Sequence, residues 1–568
     1  MKKRILLIIM ACITAFSCVA CGGNGGPGGG NNKNTTKLYV AYVNAGFGSK
    51  WLEAAKTRFE TMYKNFVFEE GKRGVEVVLD PVNEADMSTI MGTKRSHVYF
   101  SEYFRTEQYT TLSADITKAV TTSLGESYGQ DLEGTALPGY AGETESILDK
   151  MTDLDKEYFY TNIGGGEKVC IATPFMDTWD IGLNYDAKMF EDNGLYFNKN
   201  NQLGGSKAAN DLGTGPDGVP GNADDGLPRT YAEFFTLCDY MQTQASIVPF
   251  VFCGNWPTYT RTLAQCLAMT NLGYDNVQEM FTGEGTIPDY LTFASNTSDA
   301  YTIQEKAFTK SNYTDIVSKS ESFYKALEFI YTIVNKGYCV AENVFDTTYT
   351  GDKAQEDFIF GKKLGRNKNK DYGFLVDGTW MYIESAKPIE LYEDRYNSVE
   401  QDHDFKFMPL PKANEESFER TKGENLIYSH YYPGITIKKG LTPMIQLLAE
   451  TFVRFYSTDE SLIEYTKITS VPRSLMFEAT KEQYNSFSAY GKTTYDMHNQ
   501  INGYETIKIH SIQRKELFAV QNPGLFNASI YLSKPDGFGT LQQPVTNFKD
   551  YAADGLTARK YFEALKWA

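Results

Sequence analysis

The segment Phe252-Cys253-Gly254-Asn255-Trp256-Pro257-Thr258-Tyr259 sets two aromatic rings among polar and turn-forming neighbours, where burial in a core is less automatic than usual. The chain as a whole is 14% aromatic, with 39 Tyr, 36 Phe and 5 Trp. Aromatic faces stack on the C–H faces of sugar rings, while carboxylates and amides beside them bond the hydroxyls. Most of these rings must still be core. Signals for catalysis are weaker. The five histidines (His97, His403, His430, His498 and His510) fall in no HExxH pattern and beside no GxSxG elbow, which leaves no metalloprotease or hydrolase-triad signature. With 72 acidic residues, a pair of glycosidase-like carboxylates can always be drawn, so a glycoside-acting enzyme remains an alternative. Five cysteines lie beyond the leader (Cys170, Cys238, Cys253, Cys266 and Cys339), none spaced as CxxC. Such an odd, scattered set reads as buried inert thiols rather than as a disulfide framework or a zinc site.

The leader carries chemistry of its own. Lys2, Lys3 and Arg4 precede an apolar run from Ile5 to Phe16, too short to span a bilayer and typical of a secretory signal peptide. Its end, Cys18-Val19-Ala20-Cys21, resembles a bacterial lipobox, with Cys18 where Leu is usual. That resemblance implies cleavage after residue 20 and acylation of Cys21. Residues 22 to 36 then form a Gly/Asn run with no large apolar side chain, a flexible leash reaching roughly 20 Å. The expected location is therefore the extracytoplasmic face of a cell membrane, lipid-anchored. Beyond the leader no apolar run is long enough for a membrane span. The formal net charge of −17, without a basic patch, argues against nucleic acid and anionic lipid as partners.

The mature body, 37–568, is longer than one core usually fills, so two lobes are expected. Apolar Leu38 to Val43 reads as a strand ending at the turn Asn44-Ala45-Gly46-Phe47-Gly48, with Ser49 as helix cap. Trp51, Ala55, Phe59, Met62 and Phe66 recur at helical spacing, and Val75 to Leu79 is a second strand. This is a βαβ unit opening a mainly parallel α/β lobe. Ligands gather at the carboxyl ends of such strands, which nominates Phe47 and Glu102; Trp51, on the apolar stripe, reads as core first. The loop Gly215 to Gly226 packs Asp217, Asn222, Asp224 and Asp225 between turn formers. Calcium takes such oxygen ligands, and the alternative is a solvated run of turns.

Further segments follow one another in a recognisable order. Thr173-Pro174-Phe175 leads to Gly182-Leu183-Asn184-Tyr185-Asp186. Leu227-Pro228-Arg229-Thr230-Tyr231-Ala232-Glu233-Phe234 contains a capping-box pair, Thr230 and Glu233. Gly373 to Trp380 follows, then Phe405 to Pro411, Pro433 to Gly440, Leu448 to Phe455 and Val471-Pro472-Arg473. Over about Leu38 to Leu475 this order resembles the family 1 extracellular solute-binding proteins, the maltose-binding-protein-like group of carbohydrate importers. The resemblance implies a two-lobed α/β fold of the periplasmic-binding-protein type II kind, hinge-linked around a ligand cleft. It implies lobe one at about 38–163 plus 426–467 and lobe two at about 164–425 plus 468–568. No motif places the region after about Tyr495.

By position, the resemblance nominates Phe175, Asp177, Trp179, Trp380, Tyr431, Tyr432 and, less directly, Arg473 as cleft residues. Trp256 and Tyr259 join them from the residues' own surroundings. The rings would serve as platforms, and Asp177, Asp377 and Glu102 as hydroxyl acceptors. The implied function is capture of a carbohydrate, most simply an oligosaccharide, by a monomer that hands it to the permease subunits of an ABC importer. No catalytic residue and no cofactor other than calcium is expected. A peptide or other small solute is the alternative ligand, and an adhesive lipoprotein is disfavoured by the lack of internal repeats.

Overall fold

Apolar side chains every second residue make Thr36–Val43 (β1) a strand with one face fully buried. In the computed structural model, residues 34–510 and 557–564 are described, apart from 45, 85–86, 94, 164–165, 257, 310, 341–345, 347, 366–369, 397–401, 430–431 and 503–505. The leader, Cys21 and the leash lie outside the described residues. Helix α1 (Lys50–Met62) follows β1 and buries Trp51, Leu52, Ala55 and Phe59. Ser49 stands at its N-cap position without capping through its side chain; the hydroxyl donates instead to Glu53 Oε1 at 2.6 Å. Strands β2 (Val75–Val82) and β3 (Val98–Ser101) both pair parallel with β1. The sequence-derived βαβ unit is thus present. Helix α2 (Asp153–Phe159) starts on a complete capping box of Thr152 and Asp155, and β4 (Ala172–Pro174) ends the first pass through lobe one.

The chain then crosses to lobe two through residues 175–181. There β5 (Gly182–Asp186), α3 (Tyr231–Thr243), β6 (Val248–Val251) and α4 (Thr258–Leu272) follow in turn. At α3 the capping box is only half formed. Thr230 accepts the Glu233 N–H, whereas Glu233 Oε2 accepts the N–H of Arg229 at 2.7 Å and so caps one residue earlier. A hairpin, β7 (Thr286–Ser295) and β8 (Ser298–Ala307), precedes α5 (Glu321–Asn335) and α6 (Gly351–Phe360). Strand β9 (Tyr372–Asp377) leads into the single turn α7 (Met381–Glu384), and β10 (Phe405–Met408) completes the central sheet of this lobe. That sheet has the order β6-β9-β5-β10. Phe234 of α3 stacks on Phe374 of β9 at 5.0 Å between centroids, within a core that also holds Leu263, Phe329 and Met408.

Strand β11 (Asn425–Ser429) belongs to lobe two, packing near α4. Strand β12 (Gly434–Ile437) returns to lobe one and pairs antiparallel with both β3 and β4, giving the sheet β2-β1-β3-β12-β4. Helices α8 (Pro443–Tyr456) and α9 (Asp459–Thr469) cover it. The lobe boundaries therefore move from the sequence-based ones. Lobe one keeps the chain until residue 174 rather than 163, because β4 is a strand of its sheet, and it resumes near residue 432 rather than 426, because β11 pairs in lobe two. It extends beyond 467, since Leu475, Phe477, Phe487 and Tyr495 lie in its core.

Helix α10 (Ala489–His498) lies where the two lobes meet. Tyr495 packs in the lobe-one core, while Met497 and Tyr490 pack in the two cores of lobe two. Strand β13 (Thr506–His510) then pairs parallel with β11, and α11 (Ala558–Ala564) sets Phe562 against Tyr324 of α5. Of the region after Tyr495, which the sequence leaves unplaced, the described elements are the end of α10 between the lobes and β13 and α11 in lobe two.

Candidate ligand site between the lobes

Two cavities flank the crossing segment 175–181. The first, about 150 Å³, is lined by Gly46, Phe47, Glu102 and Tyr103 of lobe one, Met176 and Thr178 of the crossing, and Tyr259, Trp380 and Glu384 of lobe two. The second, about 260 Å³, lies on the other side and takes Asp155, Asp177, Trp179, Tyr432, His498 and Lys508 among its walls. The two linings overlap at the crossing, where Met176 and Thr178 border both cavities, whereas Asp177 and Trp179 line only the second.

The first cavity holds its polar groups ready for a ligand. Trp380 directly precedes α7, and Gly378 two residues earlier is required there: a Cβ at that position would stand 2.2 Å from the Asp180 carbonyl oxygen and 2.6 Å from the Trp380 ring. The indole N–H is tied to the Asp377 carboxylate, so the ring is held from behind while a face remains toward the cleft. Tyr259, at the start of α4, sits 6.4 Å from Trp380 between centroids, with the ring planes at 59°. Gln355 Nε2 donates both to Asp377 Oδ2 (2.9 Å) and to Glu384 Oε2 (2.8 Å), which fixes the lobe-two acids. In lobe one, Glu84 accepts the Ser101 hydroxyl at 2.6 Å and the backbone N–H groups of Glu102 and Tyr103 at 2.8 and 3.2 Å, which fixes the end of β3. The lobes touch at the lip, where a Cβ on Gly46 would lie 2.3 Å from Glu384 Cγ.

Electrostatics follow from this enclosure. Burial, then the neighbouring Glu84, pushes the Glu102 carboxyl up to about 8. Burial, then Asp377, pushes Glu384 up to about 8. Burial also raises Asp377 to about 6 against its hydrogen bonds to Gln355, Gly378 and Trp380. Between the ordinary carboxyl range and pH 8 the folded protein therefore holds more protons than the unfolded chain, so stability falls as pH rises through that window. The ligand-free protein is expected to melt at progressively lower temperature from about pH 4.5 to 8, and Glu102→Gln with Glu384→Gln should flatten that slope in a calorimetric pH series.

The second cavity has its charges paired. Lys508 forms an ion pair with Asp177 Oδ1 and lies 4.3 Å from the centre of the Trp179 ring. His498 Nδ1 is 2.6 Å from Asp177 Oδ2. Burial alone would raise the Asp177 carboxyl, yet Lys508 and His498 outweigh it and hold the group at about 2. Tyr432 donates its hydroxyl to Asp155 and packs on Tyr158 and Phe159. This is a brace behind the hinge.

Of the residues nominated from sequence, Phe47, Glu102, Tyr259 and Trp380 are brought together in the first cavity, with Asp377 buried immediately behind Trp380. Asp177, Trp179 and Tyr432 line the second cavity instead. Phe175 is in the lobe-one core, 5.2 Å from Trp51 and 5.1 Å from Phe100, under the cleft floor. Arg473 is 0% exposed; it donates to the carbonyls of Phe175, Pro174 and Tyr456 and covers the Tyr456 ring, so it staples the crossings rather than reaching a solute. Trp256 is 56% exposed and lines none of these walls. Tyr431 lies outside the described residues.

In the loop 215–226 the acids bond the loop's own turns. Asp217 accepts from the Val219 N–H and the Asn222 amide, Asp224 accepts the Asp217 N–H, and Asp225 accepts the Gly221 N–H. Among the described residues no group of three His, Cys, Asp or Glu side chains is placed to hold a metal ion. The five cysteines beyond the leader are buried, and among the described residues none of them is in a disulfide. Residues missed from sequence are Gly46, Tyr103, Met176, Thr178 and Glu384. Glu384 had a signal, since it stands four residues after Trp380, one helical turn on.

Two α/β lobes, three crossings near residues 175–181, 429–434 and 489–498, and a cavity between the lobes define the type II periplasmic-binding-protein-like fold. Among solved structures the chain is similar to a chitin oligosaccharide binding protein, with a TM-score of 0.50 and 13% identity over 93% of this chain and 97% of that one. It is also similar to maltose-bound MalE3 of T. maritima, with a TM-score of 0.49 and 12% identity over 92% of this chain and 100% of that one. At such identities the likeness is one of fold. No protein-family model matches the chain, and no curated protein sequence matches it.

Proposed function

We propose that this protein is an exported, lipid-anchored receptor that captures a carbohydrate between its lobes and delivers it to an ABC import permease. The observation that carries the reading is the first cavity, where Trp380 and Tyr259 of lobe two face Glu102 and Phe47 of lobe one across a closable cleft. Aromatic platforms with carboxylate acceptors suit a sugar ring, and hinge closure supplies the signal a permease reads. The cavity is smaller than the roughly 300–1,000 Å³ of clefts that enclose drug-sized ligands, which fits one ring or chain end of an oligosaccharide. The tether rests on Cys21 and the Gly/Asn leash; among the described residues no helix is long and apolar enough to cross a membrane.

An enzymatic reading is less well supported. Glycoside hydrolysis needs one carboxyl held protonated and a second held ionised, whereas Glu102 and Glu384 are both pushed up. Incubation with a mixed oligosaccharide library, followed by native mass spectrometry and a reducing-end assay, separates the two. The expected result is a retained 1:1 saccharide complex with no new reducing ends; released sugar would replace the receptor reading with the enzymatic one.

A further inference from the structure

The walls of the first cavity carry acids from both lobes and, among its described lining residues, neither lysine nor arginine. Glu84 has its oxygens engaged by Ser101 and two backbone N–H groups, and Asp377 is engaged by Gln355, Gly378 and Trp380. Glu384 is held through one oxygen by Gln355, while its other oxygen lies toward the Gly46 turn. The Glu102 carboxylate has no described hydrogen bond or ion pair, although its own backbone N–H is anchored on Glu84. The charged groups acting on Glu102 and Glu384 are themselves acids: Glu84 on the first, and Asp377, Asp352 and Glu102 on the second.

Glu102 of lobe one and Glu384 of lobe two thus border one cavity with no counter-charge among its described lining residues. Like charges in a desolvated cleft disfavour ionisation of both, and a neutral sugar would give each acid an O–H donor without relieving their repulsion. An ammonium group would do both, making charge-assisted hydrogen bonds to each side. Resting on the reading of this cleft as a saccharide site, we propose that the captured saccharide carries a protonated amine, seated between Glu102 of lobe one and Glu384 of lobe two. The ring bearing it stacks on Trp380. The ligand class is thus an amino sugar or an oligosaccharide with at least one free amine.

The test is calorimetric titration of the full mature protein at pH 6.5 with di- to tetrasaccharides of glucosamine, their N-acetylated forms and neutral hexose oligomers of equal length. The expected result is a preference for the amine form of about tenfold or more, the difference between a charge-assisted and a neutral hydrogen bond. That preference should weaken with added salt and fall toward unity in Glu102→Gln and Glu384→Gln, with folding of both variants checked by circular dichroism. Equal or tighter binding of the neutral or N-acetylated forms would overturn the proposal while leaving the saccharide reading standing. Persistence of the preference in the double variant would also overturn it. Binding of no saccharide at all would overturn both.

Discussion

Replacing Trp380 with alanine is expected to weaken saccharide binding by about 30-fold or more, the loss of about 2 kcal/mol typical of a buried aromatic anchor. The ring is pre-organised on both sides: Gly378 lets it fold close to the crossing segment, and Asp377 holds its N–H. Truncation removes the stacking platform and also frees Asp377 from a donor. Trp380→Phe keeps a face and should recover much of the loss, while Tyr259→Ala should cost less, since that ring contributes from the side. Trp256→Ala should leave affinity unchanged, because its ring is 56% exposed and lines neither cavity. Calorimetry on the four variants checks this ordering.

The second large effect concerns stability. Asp177→Ala is expected to destabilise the fold by about 3–5 kcal/mol, because it leaves the Lys508 ammonium enclosed without its counter-charge. The two side chains are 14% and 16% exposed, and Asp177 also engages His498. Three parts of the chain meet at this one carboxylate, namely the first crossing, the end of α10 and β13, so its removal loosens the hinge. Lys508→Met in the same background should recover a large part of the loss by deleting the stranded charge. The sign of the pH dependence follows from an Asp177 carboxyl held at about 2, below the usual 3.8. Its contribution is complete above the ordinary carboxyl range and is lost as pH falls toward 2. Chemical denaturation at pH 7 and at pH 3 measures both effects.

Local patterns with short periods were the part of this architecture most open to sequence reasoning. The alternation in β1, the helical stripe from Trp51 to Phe59 and the glycines before Trp380 all act within a few residues, and the structure realises each of them. Which residues of an extended crossing meet the cleft is not set by so short a pattern. Met176 and Thr178 border both cavities, whereas Asp177 and Trp179 line only the second. Arg473 shows a different limit. A cation after a proline turn resembles a binding group until its partners are known, and here those partners are backbone carbonyls of the crossing segments. Trp256 shows a third, since polar, turn-rich surroundings indicated an accessible ring but not the direction it faces. The acids of the 215–226 loop were legible as oxygen donors, while the N–H groups that engage them became visible only with the turns.

In the proposed receptor, ligand enters and leaves by separation of the two lobes at the first cavity. Gly46 and Glu384 meet at its lip, where a Cβ on Gly46 would lie 2.3 Å from Glu384 Cγ, so a cysteine at each position would put two thiols across the cleft from one another. The decisive measurement is saccharide binding to a Gly46→Cys, Glu384→Cys variant before and after reduction. The predicted result is slow or absent uptake while the lobes are locked and rapid uptake once the disulfide is reduced. Equal binding rates in the locked and reduced forms would mean that lobe separation does not admit the ligand and would place it elsewhere.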